Sequence, residues 1–174
     1  MTGSLETADL TLVLGGARSG KSRHAEALAR ESGLARRYIA TAEAGDAEMA
    51  DRIARHKADR GGGWTLVEAP LALCGALGQA VAGEVVLVDC ATLWLTNHLL
   101  AGHDLQAETA GLLAALATCA APVIVVSNEV GWSVVPDNPL ARAFADAQGR
   151  LNQALAAQAT RVTLVVAGLP MALK

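Results

Sequence analysis

Short apolar runs alternate with longer amphipathic stretches along nearly the whole chain. Thr11 to Leu14, Arg37 to Thr41, Trp64 to Glu68, Val85 to Asp89, Val123 to Ser127 and Val162 to Ala167 read as strands. Between them, Ser22 to Glu31, Ala47 to Asp59, Leu71 to Ala82, Leu105 to Cys119 and Pro139 to Ala159 carry helical spacing. Such alternation predicts an α/β fold with a largely parallel sheet. Val85 to Val88 and Val123 to Val126 are apolar without a break, the pattern of central strands covered on both faces.

The last helix has the clearest signals. Asn138 can cap it, Pro139 supplies its first helical position, and Leu140, Phe144, Leu151 and Leu155 share one side, with Gly149 weakening it locally. Gly61, Gly62 and Gly63 end the preceding helix before Trp64 opens a strand. Cutting the 174 residues there would leave pieces too small for convincing cores. Residues 11–174 therefore read as a single domain and residues 1–10 as an N-terminal extension, which carries Glu6 and Asp9 and no leader-like apolar run.

Composition narrows the function. Apolar residues make up 52% of the chain, but Phe and Tyr occur once each, so Leu, Val, Ile and Ala must fill the core. The longest hydrophobic stretch, Ala120 to Ser127, is interrupted by Pro122 and falls short of the roughly 20 residues of a membrane span. The net charge of −3 gives no attraction to nucleic acid, so any phosphate binding must be local. Cys74, Cys90 and Cys119 match no paired metal spacing and suit a reducing, cytoplasmic setting, with Cys90 reading as a small core filler.

The local phosphate site is visible. Gly15-Gly16-Ala17-Arg18-Ser19-Gly20-Lys21-Ser22 fits GxxxxGK[ST], directly after a strand and directly before a helix. The order has a physical reason: glycines let successive N–H groups curl toward phosphates, and the helix adds its positive end. The fold class expected is a P-loop NTPase, a three-layer α/β/α arrangement. Lys21 would reach the β and γ phosphates and Ser22 would ligate Mg2+. Arg18 can be solvated or touch a phosphate or second substrate. Asp89, ending an apolar strand, places a carboxylate where it could hold Mg2+.

The segment Asp46 to Arg60 is densely charged, with helical pairs such as Glu48 with Arg52 and Asp51 with Arg55. Met49, Ile53 and His56 share a face, and Lys57 and Arg60 add positive charge beside the ring. An unprotonated imidazole is a nucleophile at phosphorus. A simple kinase needs no such group, so His56 separates nucleotidyl transfer from plain phosphoryl transfer. His24 reads as a first-turn helix residue. His98 and His103 fall in a connection around Gly102, solvent-facing or capping, with no partner at a zinc-like spacing.

Six ordered blocks carry a resemblance: GGARSGKSRHAEALA from Gly15, YIATA from Tyr38, EMADRIARHKADR from Glu48, VDCATLWLTNHL from Val88, VSNEVGWSVVPDNPLARAFADAQGRLNQALA from Val126, and LVVAGLPMALK from Leu164. Together they resemble the bifunctional adenosylcobinamide kinase and adenosylcobinamide-phosphate guanylyltransferase family of cobalamin biosynthesis. The resemblance implies phosphorylation of the aminopropanol hydroxyl of adenosylcobinamide, then GMP transfer from GTP to that phosphate, giving adenosylcobinamide-GDP and pyrophosphate. It implies His56 as the covalent guanylyl carrier, with nucleotide contacts on the phosphate loop, Thr41, Lys57 to Arg60, Glu68 and Asp89. Glu68 is equally compatible with a surface acid. GTP is the expected substrate, ATP a second candidate donor for the kinase step, and a homo-oligomer, a trimer in the relatives, the expected assembly. Arg55 stands where some relatives carry a second histidine. The rival reading is a P-loop kinase of another small alcohol or nucleotide; the absence of an N/TKxD-type motif argues against a GTP switch.

Overall fold

The computed structural model describes residues 9–43, 61–132 and 134–174. Within them the strands are β1 (Leu10–Gly15), β2 (Ala35–Ala40), β3 (Trp64–Glu68), β4 (Glu84–Asp89), β5 (Val123–Asn128), β6 (Arg161–Val166) and β7 (Leu169–Ala172). The helices are α1 (Lys21–Glu31), α2 (Leu73–Gly78), α3 (Ala91–Leu100), α4 (Leu105–Ala117) and α5 (Pro139–Gln158). One seven-stranded sheet runs in the order β3-β2-β4-β5-β1-β6-β7, parallel throughout except for the antiparallel β6–β7 pair.

Strand alternation divides the core into two layers. Leu10, Leu12, Leu14, Val86, Val88, Val123 and Val125 pack with Leu73 and Leu77 of α2, Trp94 and Leu95 of α3, Leu112 and Leu116 of α4, and Leu151 and Leu155 of α5. Val13, Val85, Leu87, Ile124 and Val126 face the other way, onto Ala25 and Ala29 of α1. Helices thus cover both faces, a three-layer α/β/α sandwich. The small Ala25 and Ala29, both fully buried, let α1 lie close to the sheet. All six expected strands are present within a residue or two at each end.

Three features differ from the sequence reading. The helix expected over Leu71 to Ala82 is only the short α2, because Gly75 and Gly78 remove helix preference and Gly83 turns the chain with φ 91°. Helix α3 is not among the expected elements, and His98, expected in a connection, lies on it. Ala91, Thr92, Trp94, Leu95 and His98 are buried, its N-cap Cys90 makes no side-chain cap bond, and no clear polar stripe marks its period. Strand β7 was also missed: its four residues are exposed, and it pairs back on β6 through the turn at Ala167 and Gly168. The segment expected as the helix Ala47 to Asp59 lies outside the described residues. No described helix is long and apolar enough to cross a membrane.

The Asn138 side chain accepts from the N–H groups of Leu140 and Ala141 and so starts α5, the longest described helix. Asn138→Ala should lower unfolding free energy by about 1 kcal/mol. A shifted denaturant midpoint with an unchanged slope checks this.

Candidate active site

The loop between β1 and α1 is held by close backbone approach. A Cβ on Gly15 would meet the carbonyl oxygen of Val165 at 2.7 Å as well as the Ser19 hydroxyl, and Gly20, at φ 95°, would put one 3.2 Å from Gly168 Cα. The Gly168 N–H donates to Ser19 O at 2.8 Å and the Glu129 N–H to Gly15 O at 3.1 Å. The β6–β7 turn and the end of β5 thus clamp the loop from two sides. Gly16, Ala17 and Arg18 remain exposed, and Arg18 takes a left-handed φ of 57°.

Lys21 is 9% exposed and curls back so that Nζ donates to Gly16 O at 3.1 Å. Its ammonium therefore stands over the loop opening rather than in bulk water. Helix α1 has neither a side-chain N-cap nor an acidic residue in its first turn, which leaves its positive end suited to an anion. Ser19 Oγ is buried without a hydrogen-bond partner. Beside the loop, a cleft of about 310 Å³ is lined by Gly16, Arg18, Ser19, Glu129, Trp132 and Val165, among others.

The neighbouring strand ends supply the acidic side. Asp89 closes β4, and the Tyr38 hydroxyl donates to its Oδ2 at 2.9 Å, fixing the carboxylate's orientation. Trp64 meets the Tyr38 ring edge-on at 5.8 Å and in turn carries the Arg36 guanidinium 5.3 Å from its centroid. Thr41 is fully buried: its hydroxyl donates to Cys90 O at 2.7 Å and accepts from the Cys90 N–H at 2.8 Å. Asn97 of α3 donates to Thr41 O at 2.9 Å and Pro70 O at 3.0 Å. Thr41 therefore joins the ends of β2 and β4. Glu68, exposed, pairs in register with Ala40 at the end of β3.

Burial, and secondarily Asp89, push the Cys90 thiol up to about 11, with Lys21 acting in the opposite sense. At neutral pH this thiol is protonated and inert, in keeping with its reading as core filler.

A buried polar network behind β5 escaped the sequence reading. Ser127 donates to Asn152 Oδ1 at 2.7 Å, Gln148 Nε2 donates to Ser127 Oγ and Asn152 Oδ1 at 2.9 Å each, and Asn152 Nδ2 donates to Asn128 O at 3.0 Å. The Asn128 N–H donates to Thr92 Oγ1 at 2.7 Å, tying in α3. The signal was available: Gln148 and Asn152, four apart, flank the apolar Leu151 on the face of α5 that packs on the sheet.

The structure thus brings Gly15 to Ser22 to one edge of the sheet with Asp89, and sets Thr41 and Glu68 on adjoining strand ends. His56, Lys57 and Arg60 lie outside the described residues. His24 lies on α1, half-buried, with its pKa lowered by that burial despite Glu31. His98 is not solvent-facing: it is 3% exposed on α3, its ring 4.7 Å from that of Trp94. A carboxylate also stands near it, because the α3–α4 turn brings Glu108 Oε2 to 3.6 Å from its Nδ1.

A family model described as cobinamide kinase / cobinamide phosphate guanyltransferase matches residues 11–173. The chain belongs to that family. The bifunctional adenosylcobalamin biosynthesis protein CobP of Pseudomonas aeruginosa is 55% identical, with 94% of this chain and 96% of that protein covered. The corresponding CobU proteins of Escherichia coli and Salmonella typhimurium are 43% and 41% identical over 95% of this chain and 99% of each relative. As a member of the cobinamide kinase / cobinamide phosphate guanyltransferase family, the chain is an enzyme of the bifunctional kinase and guanylyltransferase type.

Solved structures similar in fold include the flagellar accessory protein FlaH of Methanocaldococcus jannaschii, with a TM-score of 0.54 and 13% identity over 98% of this chain and 80% of that one. The RadB recombinase gives a TM-score of 0.51 and 20% identity over 93% and 76%. At these identities the likeness concerns the fold alone.

Gly20→Ala puts a side chain at a left-handed φ against Gly168. The variant should lose about 1–2 kcal/mol of stability and bind GTP more weakly, read by denaturation and by nucleotide titration of the folded fraction.

Proposed function

We propose that this enzyme works in the cytoplasm, phosphorylates the aminopropanol hydroxyl of adenosylcobinamide, and then transfers GMP from GTP onto the new phosphate through a guanylylated His56. The observation that carries the nucleotide half is the loop from Gly15 to Ser22, clamped on the sheet with Lys21 folded over it. This geometry supports a P-loop NTPase fold that cradles a triphosphate with its backbone N–H groups and the open end of α1. GTP is the substrate of the transfer, and ATP or GTP serves the kinase step.

The donor set fits a hard divalent cation. Ser22, at the start of α1, and Asp89, oriented by Tyr38, offer hydroxyl and carboxylate oxygens of the kind Mg2+ prefers. Mg2+ held there would neutralise phosphate charge during transfer. Lys21 binds the β and γ phosphates and stabilises charge on them as the γ-phosphoryl group leaves. Gly16 to Gly20 hold the triphosphate in line with the incoming hydroxyl. Arg18, exposed at the loop tip, lies within reach of a second substrate. Thr41, sealed beneath the surface, acts by fixing Asp89 and Cys90, while Glu68 is available to a base or ribose.

In the second reaction an unprotonated His56 nitrogen attacks the α-phosphorus of GTP, a P–N bond forms, and pyrophosphate leaves. The phosphate of the corrinoid then attacks the same phosphorus, the P–N bond breaks, and adenosylcobinamide-GDP departs. Lys57 and Arg60 on the same segment offset the triphosphate's charge. Trp132, Val134 and Val135, exposed between β5 and α5 at 76%, 90% and 74%, form an apolar loop suited to the corrinoid or to self-association, a trimer being the expected assembly.

Incubation with adenosylcobinamide, GTP and Mg2+, followed by mass analysis of the corrinoid, should yield adenosylcobinamide-GDP. Recovery of the phosphorylated corrinoid alone would leave a kinase, and no modified corrinoid would point to a different small alcohol or nucleotide. Lys21→Ala should fold but lose about 100-fold or more in rate at saturating nucleotide; an unchanged rate constant would remove Lys21 from the chemistry.

His56→Ala separates the two reactions. With α-labelled GTP and Mg2+, the wild type should retain label after denaturation at alkaline pH without any corrinoid present, and the variant should not, while keeping kinase activity. Equal labelling of both proteins would assign another nucleophile.

A further inference from the structure

The described residues contain a convergence of metal-ligating groups away from the phosphate loop: His98 at the end of α3, His103 in the following turn, and Glu108 in the first turn of α4 have ligand atoms all within 4.8 Å of one another. The turn is built for this meeting. Gly102 takes φ 74°, the His103 N–H donates to His98 O at 3.0 Å, and Asp104 caps α4 through the N–H groups of Gln106 and Ala107, so its carboxylate is engaged elsewhere.

The tautomer of His98 follows from its surroundings. Its Nε2 lies 3.2 Å from Leu71 O, and a carbonyl oxygen can only accept, so Nε2 carries the proton. Nδ1 is then an acceptor, taking a hydrogen bond from His103 Nδ1, 2.9 Å away, with Glu108 Oε2 at 3.6 Å; an ion bound here would take the place of that His103 proton. A ring N–H anchored on a backbone carbonyl with the other nitrogen presented is how metal-binding histidines are oriented. A tetrahedral zinc-like ion with bonds of about 2.0–2.1 Å wants its ligand atoms about 3.3 Å apart. The two separations from His98 Nδ1 straddle that value, the third lies within 4.8 Å, and rotation of the exposed His103 and the half-buried Glu108 would close the set around an ion.

We propose that His98, His103 and Glu108 form a binding site for one divalent transition-metal ion of the zinc class, with a fourth position open to water. Two imidazoles and one carboxylate favour Zn2+, Co2+ or Ni2+ over Mg2+, whose preference is for oxygen. The ion joins α3, α4 and the segment after β3: His98 grips Leu71 O, and the adjacent Asn97 grips Pro70 O and Thr41 O. The site therefore braces the strand ends that carry Glu68 and Thr41. It is independent of the reactions assigned to His56 and Lys21.

The test uses the full chain, stripped with chelator and held in excess Mg2+ so that oxygen sites are occupied, then titrated with Co2+ alone. One equivalent of Co2+ should bind per chain and give the intense visible ligand-field absorption of a low-coordinate ion, which one equivalent of Zn2+ should abolish. His103→Gln and Glu108→Gln, at exposed and half-buried positions, should each keep the native circular dichroism and weaken Co2+ binding about 10-fold or more. No stoichiometric binding by the wild type would overturn the proposal, as would binding that both variants retain unchanged.

Discussion

Two close backbone contacts hold the loop between β1 and α1 to its sheet. Gly15 lies against the Val165 carbonyl and Gly20 against Gly168 Cα. Both contacts are made to β6 and its turn, which is why the final strands matter to the site although their residues carry no chemistry. A loop that presents N–H groups to phosphate must leave those groups unpaired with its own chain, so it cannot be held by regular secondary structure. Close packing and the bonds from Glu129 and Gly168 replace that support. Lys21 can then return over the loop because the backbone beneath it is fixed.

The parallel sheet determines what else reaches the loop. Successive parallel strands deliver their carboxyl ends to one edge, so Gly15, Ala40, Glu68, Asp89 and Asn128 arrive together without any specific attraction between them. Strand β5 separates β1 from β4, and its end is secured by Thr92, Ser127, Gln148 and Asn152. Buried amides and hydroxyls are costly unless paired, and in pairing they allow few alternative arrangements. The network lies where β5, α3 and α5 meet behind the edge, and it fixes the spacing between the loop and Asp89.

Much of this was legible in the chain because the strands are buried. Val85 to Val88 and Val123 to Val126 had to be central, and the glycine-rich run after the first strand marked the loop between β1 and α1. Asp89 was expected to end an apolar strand, and it closes β4. What escaped was structure without periodic contrast. Helix α3 runs through Leu93, Trp94, Leu95, Leu99 and Leu100 with no clear polar face, and β7 is too short and exposed to mark itself. The missed helix misled the reading of His98, since a residue assigned to a connection was not expected to be buried. Its proximity to Glu108 depends on a turn that sequence spacing does not describe. The resemblance implies Thr41 as a nucleotide contact, and the structure shows its hydroxyl engaged by both the Cys90 N–H and the Cys90 carbonyl oxygen.

The charge arrangement follows from the same geometry. The net charge of −3 opposes a triphosphate at long range, and at physiological ionic strength such repulsion is screened beyond about 8 Å. On the proposed function, affinity for phosphate arises within that distance, from Lys21, the loop N–H groups and the unblocked end of α1. The carboxylate proposed to meet the ion is carried by β4, with β5 between it and β1. There the Tyr38 hydroxyl orients the Asp89 carboxylate, while Lys21 Nζ donates to Gly16 O. On the proposed reading, strand order thus sets the loop that would cradle phosphate and the carboxylate that a divalent ion would need on different strands of one sheet edge.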